Sequence, residues 1–419
     1  MNKLIYLLFL SIFFLGYLSG QLGILPRSIS WLPELLSILT ILIISIRITL
    51  GYGKDIPPIC NFFLILFFLN IIFGAIINQV PAGPLIAGSR SYLKLIPFFI
   101  LPFVYRFSSQ QINGQLKFLL FLCFIQIPIT LYQRLVLSRG IASGDAVMGT
   151  LAGSGLLTIL LSCAIAIVMA FYLAKRIEFR SFIFIFFLLV LPMAMNETKV
   201  SVILLPLAIV LPILLSSRGV NLKQFIPIIF LGSMAGIGFI FIYDHFRAGA
   251  GPGLLEFVMT GEGQGYEFSG AEIGTHHGHV GRVDALALAF KILSENILNL
   301  VFGLGIGNVS ESFIPSLSGV YAEKFSSFNV NKSALSLILW ELGVFGMLLH
   351  YALFFMIFIF SKRLSKHDSL VGAFSHGWSV VAIIIMIATP YASIFNENVT
   401  GYLFWYFSGY IISENFKYL

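Results

Sequence analysis

The chain has 419 residues, of which 58% are hydrophobic and only 10% are charged, and its mean hydropathy is +0.97. Soluble globular domains carry about 25% charged residues, so this composition excludes a soluble enzyme with a polar surface. The net charge of +7 does not by itself indicate nucleic acid as a partner, because basic residues in a membrane protein first report which side of the membrane a loop occupies.

Long apolar stretches predict an all-α polytopic membrane protein. At about 20 residues per spanning helix, the chain can supply about twelve transmembrane helices. The first starts after Lys3 and is predicted to be retained, because no A-x-A cleavage site follows it. The other predicted spans are 31–50, 58–78, 92–105, 115–137, 151–174, 181–197, 199–216, 224–243, 334–360, 371–389 and 399–413. The span at 92–105 is short and contains Pro97 and Pro102.

The distribution of lysine and arginine favours one orientation. With the N-terminus inside, fourteen of these residues fall on the inner side, six fall in the short outer loops and five fall in one long outer loop. Both termini are therefore predicted to lie in the cytoplasm. Inner pairs such as Lys175-Arg176 need no partner beyond the anionic headgroups of membrane lipids.

The long outer loop is predicted to cover residues 244–333. Its first part is rich in glycine and glutamate, which predicts irregular structure, whereas 283–301 carries apolar residues at the spacing of a helix on the membrane surface. The chain thus divides into 1–243 with nine spans, the loop 244–333, and 334–419 with three spans. We find no inverted repeat between the halves, which weighs against a transporter built by duplication.

Cations on the predicted outer side are the main functional candidates, because ionisable groups at a membrane boundary are costly to keep. Lys199 follows Glu197 in a tight turn, where it either pairs locally or binds a phosphate. Arg282 opens the predicted surface helix, so its guanidinium and the helix N-terminus can bind one phosphate together. The alternative is a solvated turn in which Arg282 neighbours Asp284. Weaker candidates on the same side are Arg90, Arg134 and Arg139.

Three of the seven histidines lie at positions 276, 277 and 279. The simplest interpretation is a solvated loop, and the alternatives are contact with substrate or transfer of a proton by His277 or His279. A metal site is the weakest interpretation, because a loop bounded by glycine supplies neither helical nor strand spacing for the ligands. We therefore predict no metal.

Other conspicuous residues are predicted to serve packing. The glycines at 303, 305 and 307 lack the Lys-Ser/Thr of a phosphate-binding loop, so no nucleotide site is predicted there. Glu341 is predicted either to anchor the long loop from a buried position or to face a neighbouring helix. The three cysteines lie in or beside apolar stretches and are predicted to be small core residues, namely Cys60, Cys123 and Cys163.

Several short motifs occur along the chain in an order and with a spacing that are similar to those of a known family. They are Gly149-Thr150, Thr198-Lys199, Gly281-Arg282, the Phe-Gly-Leu-Gly-Ile-Gly run at 302–307, and Glu-Leu-Gly-Val-Phe-Gly at 341–346. In order and spacing they resemble the O-antigen ligase and O-antigen polymerase superfamily of bacterial membrane glycosyltransferases. The resemblance implies a fold like the C-type glycosyltransferases, with one long extracytoplasmic loop, in the bacterial cytoplasmic (inner) membrane.

The resemblance also implies a reaction. The family transfers glycans from an undecaprenyl-diphosphate-linked oligosaccharide outside the cytoplasmic membrane, without a cofactor. The position of the family's histidine, counted back from Glu341, holds Lys332, which favours a polymerase of repeat units of O-antigen, capsule or exopolysaccharide over a ligase. A chain-length regulator and a flippase are the expected partners, beside the lipid of the membrane. The alternatives are a flippase or transporter of the lipid-linked oligosaccharide and an O-antigen ligase.

Roles for the candidate residues follow from this reaction. A leaving diphosphate needs fixed positive charge, for which the candidates are Lys199, Arg282, Arg134 and Arg139. Arg282 is thus expected to be catalytic. The acceptor hydroxyl needs a base, for which the candidates are Lys332, His277, His279 and Glu272.

Overall fold

The computed structural model describes residues 1–52, 56–137, 146–216, 236–245, 281–312, 314–325 and 330–417, with Gly232 and Glu256. No strand occurs among these residues, so the described part of the chain is all-α, as predicted. Four candidate residues lie outside it, namely Arg139, Glu272, His277 and His279. The same is true of most of the predicted span at 224–243 and of the first part of the long loop.

The described part of the chain contains the following helices, in chain order. They are α1 Asn2–Gly16, α2 Leu32–Thr49, α3 Pro58–Ile77, α4 Ala82–Leu93, α5 Ile96–Val104, α6 Ser109–Tyr132, α7 Ser154–Leu173, α8 Phe179–Met195, α9 Ser201–Leu214, α10 Arg282–Leu293, α11 Ile297–Phe302, α12 Ala334–Leu364, α13 Leu370–Ala388 and α14 Asn398–Asn415. One π-helical turn extends α1 to Gln21 and another extends α6 to Leu137. Residues 236–245 are helical as well.

Seven helical segments of the described chain are long and apolar enough to cross a membrane. They are Asn2–Gln21, Arg27–Thr49, Pro58–Ile77, Ser109–Leu137, Ser154–Leu173, Ala334–Leu364 and Leu370–Ala388. The apolar helices α8 and α9 are shorter, with 17 and 14 residues. The protein is therefore an all-helical polytopic membrane protein, while the count of twelve spans stays a prediction.

The predicted fourth span, 92–105, corresponds to α5, and most of the preceding helix α4 lies in a stretch that was predicted to be an outer loop. α4 ends at Leu93, and α5 starts at Ile96 with Pro97 in its first turn. Proline suits the first turn of a helix but cannot donate the hydrogen bond that would continue the preceding one. Although α5 has only nine residues, it is buried almost throughout. Thus α5 packs inside the bundle, whereas only Pro84 and Gly88 of α4 are buried.

The core centres on α7, α13 and α14. Nearly every residue of α14 is buried, although this helix is rich in tyrosine and serine. Several of its polar groups are hydrogen-bonded inside the bundle, as is usual for buried polar groups. Trp378 Nε1 donates to Ser408 Oγ at 3.0 Å, and the Tyr406 hydroxyl donates to Gln115 Oε1 at 2.8 Å. These bonds let a helix of modest hydropathy occupy the centre of the membrane protein.

The helices define two ends of the bundle. We call one of them the terminal end, and it contains residues 1–3, 47–52, 104–109, 173–179, 362–370 and 415–417. At this end Gln115 Nε2 donates to Asn2 Oδ1, and Asn415 Nδ2 donates to the carbonyl oxygen of Phe360. We call the other the loop end, and it contains residues 21–27, 78–82, 133–137, 146–153, 195–201 and 388–398. At this end Gln21 Nε2 donates to the carbonyl oxygen of Leu151 at 2.9 Å. A cytoplasmic terminal end stays a prediction.

Candidate functional site

The loop that precedes α7 is fixed by two glutamines of the α6 segment. Gln133 Oε1 accepts the N–H of Gly149 at 2.8 Å, and its Nε2 donates to the Gly149 carbonyl oxygen at 2.7 Å. Gln126 Oε1 accepts the N–H of Thr150, also at 2.8 Å. The φ angle of Gly149 is +62°, and a Cβ there would lie 2.4 Å from Gln126 Oε1. Only glycine fits, so Gly149-Thr150 has a defined position at the loop end.

The turn between α8 and α9 is fixed in a similar way. Asn196 is fully buried, and its Nδ2 donates to the Ser154 carbonyl oxygen at 3.0 Å and to Thr158 Oγ1 at 2.9 Å. Its Oδ1 accepts the N–H of Thr198 at 3.2 Å. Asn196 therefore ties this turn to the first residues of α7. The half-buried Lys199, which follows directly, lies at the loop end beside the α7 N-terminus.

Glu197 of the same turn forms an ion pair with Arg134. The two side chains are only 2% and 6% exposed, so the pair lies inside the protein. Sequence reasoning placed Arg134 among the phosphate-binding candidates and placed Glu197 beside Lys199. In the structure the charge of Arg134 is balanced by Glu197, which suits a residue that positions the turn rather than one that binds an anion alone.

Arg282, at the first position of α10, reaches across the loop end to Tyr391. Its Nε donates to the Tyr391 carbonyl oxygen at 2.9 Å, and its guanidinium carbon lies 4.2 Å from the centre of the Tyr391 ring. The same ring packs on Gly155, where a Cβ would lie 3.1 Å from Tyr391 Cε1 and 3.8 Å from Thr198 Cγ2. Arg282 is therefore held beside the Thr198-Lys199 turn. Nothing in the sequence singled out Tyr391.

Lys332 lies close in sequence to residues that bind the segment carrying Tyr391. It ends a short 3-10 turn before α12, and it is half-buried. The first amides of α12 bind that segment, since Ala334 donates to the Ala392 carbonyl oxygen at 3.0 Å and Leu335 to that of Thr389 at 3.1 Å. Arg282 and the residues that follow Lys332 thus both bind residues 389–392.

A second group of charges lies where α2, α4 and α14 meet. Arg90 Nη2 lies 2.7 Å from Glu34 Oε1, and Lys94 Nζ donates to Asn398 Oδ1 at 2.6 Å. Lys94 Nζ also lies 3.8 Å from the same oxygen of Glu34. Arg90 was a weaker candidate from sequence, whereas Lys94 was assigned to a predicted span and missed. We refer to Arg90, Lys94, Arg134, Lys199, Arg282 and Lys332 together as the cation cluster.

Glu397 connects this second group to the loop before α7. It lies outside the helices, directly before α14. Burial raises the pKa of Glu397 to about 7, although the backbone amide of Val399, the ammonium of Lys94 and the backbone amide of Ala152 each lower it. A carboxyl group with this pKa changes charge near neutrality, beside Lys94 of the cluster.

The glycines at 303, 305 and 307 serve close packing. Their φ angles are +73°, +87° and +76°. A Cβ on Gly303 would lie 2.4 Å from the carbonyl carbon of Glu341, and one on Gly307 would lie 2.0 Å from the carbonyl oxygen of Pro84. We call residues 303–307 with Glu341 and Gly343 the glycine wedge. It lets backbone segments of the loop, α4 and α12 touch directly.

Glu341 anchors this wedge. Its Oε1 accepts the N–H of Gly307 at 2.8 Å and the Ser310 hydroxyl at 2.7 Å, and its Oε2 accepts the Tyr92 hydroxyl at 2.8 Å. It is 1% exposed. Of the two interpretations of Glu341, the buried anchor for the loop is correct. Gly343, with φ +69°, interrupts α12 just beyond it, which frees carbonyl groups that the loop amides bind.

The sequence matches no protein-family model and no curated protein. Its similarity to the O-antigen superfamily therefore consists of the short motifs alone. Among the residues that the structure describes, no three side chains of His, Cys, Asp or Glu come together as ligands for a metal ion.

Proposed function

We propose that this protein is a polymerase of surface-polysaccharide repeat units, with a fold like the C-type glycosyltransferases and its terminal end in the bacterial cytoplasm. One observation carries the proposal. Three motifs that are far apart in sequence, Gly149-Thr150, Thr198-Lys199 and Gly281-Arg282, lie together around the α7 N-terminus and Tyr391. These are the segments that resemble the O-antigen superfamily, and they meet at the loop end, the outer side in the predicted orientation.

In the proposed reaction, the hydroxyl of an acceptor repeat unit attacks the anomeric carbon of the donor glycan. The bond from that carbon to the diphosphate breaks as the new glycosidic bond forms, and undecaprenyl diphosphate leaves. Negative charge grows on the leaving group, so cations that are already in place stabilise the transition state most. Arg282 suits this role because Tyr391 holds its guanidinium from two directions.

Lys199 and Lys332 complete the proposed site. Both are half-buried at the loop end, so solvent and a lipid headgroup reach them. Lys199 carries the charge of the family's arginine without its bidentate fork, which suits a general attraction for phosphate. Among the described residues, Lys332 is the candidate base that accepts the proton of the acceptor hydroxyl.

The experiment that tests the proposal replaces Arg282 in cells that lack the chromosomal copy. We expect Arg282→Ala to abolish long glycan chains and to leave the protein level unchanged, with a loss of about 10²-fold in rate. Arg282→Lys keeps the charge and should retain part of the activity. Arg27→Ala is the matched control, because Arg27 is an exposed arginine at the same end of the bundle. A normal ladder of chain lengths with Arg282→Ala contradicts the proposal.

The alternatives differ in what a cell without the protein accumulates. A polymerase leaves single lipid-linked repeat units on the outer face of the cytoplasmic membrane. A flippase leaves them on the inner face, and a ligase leaves long chains still attached to undecaprenyl diphosphate. Protection of the accumulated units from an added glycosidase distinguishes the two faces.

A further inference from the structure

A second site lies away from the cation cluster, inside the bundle. A cavity of about 490 Å³ separates α6 from α7, α13 and α14. For comparison, an engineered apolar cavity of about 150 Å³ is large enough to hold a benzene molecule. The cavity is therefore large enough for a hydrocarbon chain.

The walls of this cavity are polar only near its ends. Along most of its length they consist of aliphatic and aromatic side chains such as Leu120, Ile167 and Phe404. Its charged lining residues are Lys117 and Arg176, which are both exposed at the terminal end of the bundle. At the other end Thr400 donates its hydroxyl to a backbone carbonyl. A ligand that fits these walls has an apolar body and an anionic group at one end.

The length of the cavity matches a lipid chain. Leu370 and Ile385 both line it, and the rise of 1.5 Å per helical residue separates them by about 22 Å along α13. One leaflet of a bilayer provides about 15 Å of hydrocarbon, half of the usual core. An acyl chain that extends from the terminal end therefore fits within the cavity.

Arg176 also has a carboxylate neighbour. Its Nη2 lies 3.2 Å from Asp368 Oδ1, and the two side chains are 39% and 78% exposed. Exposed pairs of this kind are weak, so Asp368 competes only slightly with a phosphate for Arg176.

We propose that this cavity binds an anionic glycerophospholipid of the leaflet at the terminal end, with an acyl chain between α6, α7, α13 and α14 and the phosphate at Lys117 and Arg176. The position of the charged residues at one end of the cavity distinguishes this lipid from the donor of the proposed reaction. The diphosphate of that donor belongs at the cation cluster, whereas the charged residues of the cavity lie at the opposite end of the bundle. The proposal does not depend on the polymerase activity.

The test titrates the full-length protein, delipidated in detergent, with phosphatidylglycerol and follows bound lipid by native mass spectrometry. We expect Lys117→Gln and Arg176→Gln each to weaken binding by about fivefold. Lys175→Gln is the matched control, because Lys175 is exposed next to Arg176 and does not line the cavity. Ala164→Phe places a ring among the apolar walls and should weaken binding by about tenfold.

Asp368→Asn is a variant in which binding is expected to become tighter, and loss of folded protein cannot produce such a change. It removes the competing carboxylate and should tighten binding of phosphatidylglycerol by about twofold. The proposal is overturned if phosphatidylcholine or undecaprenyl phosphate binds as tightly as phosphatidylglycerol. It is also overturned if Ala164→Phe and the two cation variants bind phosphatidylglycerol like the wild type.

Discussion

The glycine wedge and the cation cluster lie towards the same end of the bundle, yet they use polar residues in opposite ways. In the wedge, Glu341 is 1% exposed and accepts three hydrogen bonds from loop, α4 and backbone donors. In the cluster, Lys199, Arg282 and Lys332 are half-buried and reach the surface. The first arrangement is closed and neutralises its own polar groups, whereas the second keeps positive charge accessible.

The difference shows that motifs with the same resemblance to one family can serve either packing or accessible charge. The glycines at 303, 305 and 307 were predicted to serve packing, and in the structure they lack side chains where backbone segments touch. The sequence selected Arg282 as a candidate cation, and the structure adds the ring and the backbone carbonyl of Tyr391 that hold it in place. Changes in the wedge should therefore cost folded protein, and changes in the cluster should cost activity.

The largest expected effect is on folding, from substitutions in the wedge. Gly307→Ala places a Cβ 2.0 Å from the Pro84 carbonyl oxygen at a φ of +76°, so the loop, α4 or both must move. We expect almost no monodisperse protein by fluorescence-detected size exclusion. Gly16→Ala is the control, because a Cβ at Gly16 meets nothing within 4 Å and alanine favours the helix. Equal yields of the two variants would mean that the wedge is not needed for folding.

The next effect is on stability, at the buried pair of Arg134 and Glu197. Removing one partner leaves a buried charge alone, so Arg134→Leu and Glu197→Leu should each lower stability by about 3 kcal/mol. The double substitution should recover most of this loss. Thermal unfolding in detergent measures all three. A double variant that is as unstable as the two losses added together would show that the residues act separately and that Arg134 has a role beyond the pair.

Much of the fold could be predicted from the sequence. Membrane helices can be recognised in a sequence by their length and hydropathy, and the seven long apolar segments match predicted spans. The fourth predicted span overlaps α5, whereas α4 was not predicted, because its glycine, serine and arginine residues keep its hydropathy low. α14 is not among the long apolar segments, because tyrosine, serine and asparagine that are hydrogen-bonded inside the bundle lower its hydropathy.

The candidate site was predictable only in part. Residue type and position at a helix start or turn selected Arg282 and Lys199, and the count back from Glu341 in the family's motif selected Lys332, because these features depend on neighbours in sequence. Tyr391 and Glu397 escaped notice, since their importance comes from contacts with α10 and with the loop before α7. Such contacts join residues more than one hundred positions apart, and no local pattern reports them.

The third expected effect is a moderate loss of activity when Tyr391 is changed. Tyr391→Leu removes the ring under Arg282 but keeps the backbone carbonyl, so polymerisation should fall by about fivefold. Tyr391→Phe keeps the ring and should behave like the wild type. In an Arg282→Ala background, Tyr391→Leu should not lower the residual rate of polymerisation any further. An additional loss in that background would mean that Tyr391 acts independently of Arg282.

The smallest expected effect is a dependence on pH that comes from Glu397. Its pKa of about 7 lies above the ordinary value for glutamate, so the carboxyl group is mostly neutral at pH 6 and mostly charged at pH 8. The group faces Lys94, which also neighbours Glu34 and Arg90. As pH rises, the new negative charge offsets the cations, and affinity for undecaprenyl diphosphate should fall by about twofold.

Glu397→Gln separates this effect from the titration of the ligand, which is common to both proteins. The amide stays neutral, so binding by the variant should vary less between pH 6 and pH 8 than binding by the wild type. The stability of the folded protein should also fall as pH rises. The reason is that a raised pKa lets the folded state retain a proton which the unfolded state has released. Wild-type stability should therefore fall as pH rises towards 7 relative to the variant. Parallel pH profiles for the two proteins would place Glu397 outside the electrostatics of the cluster.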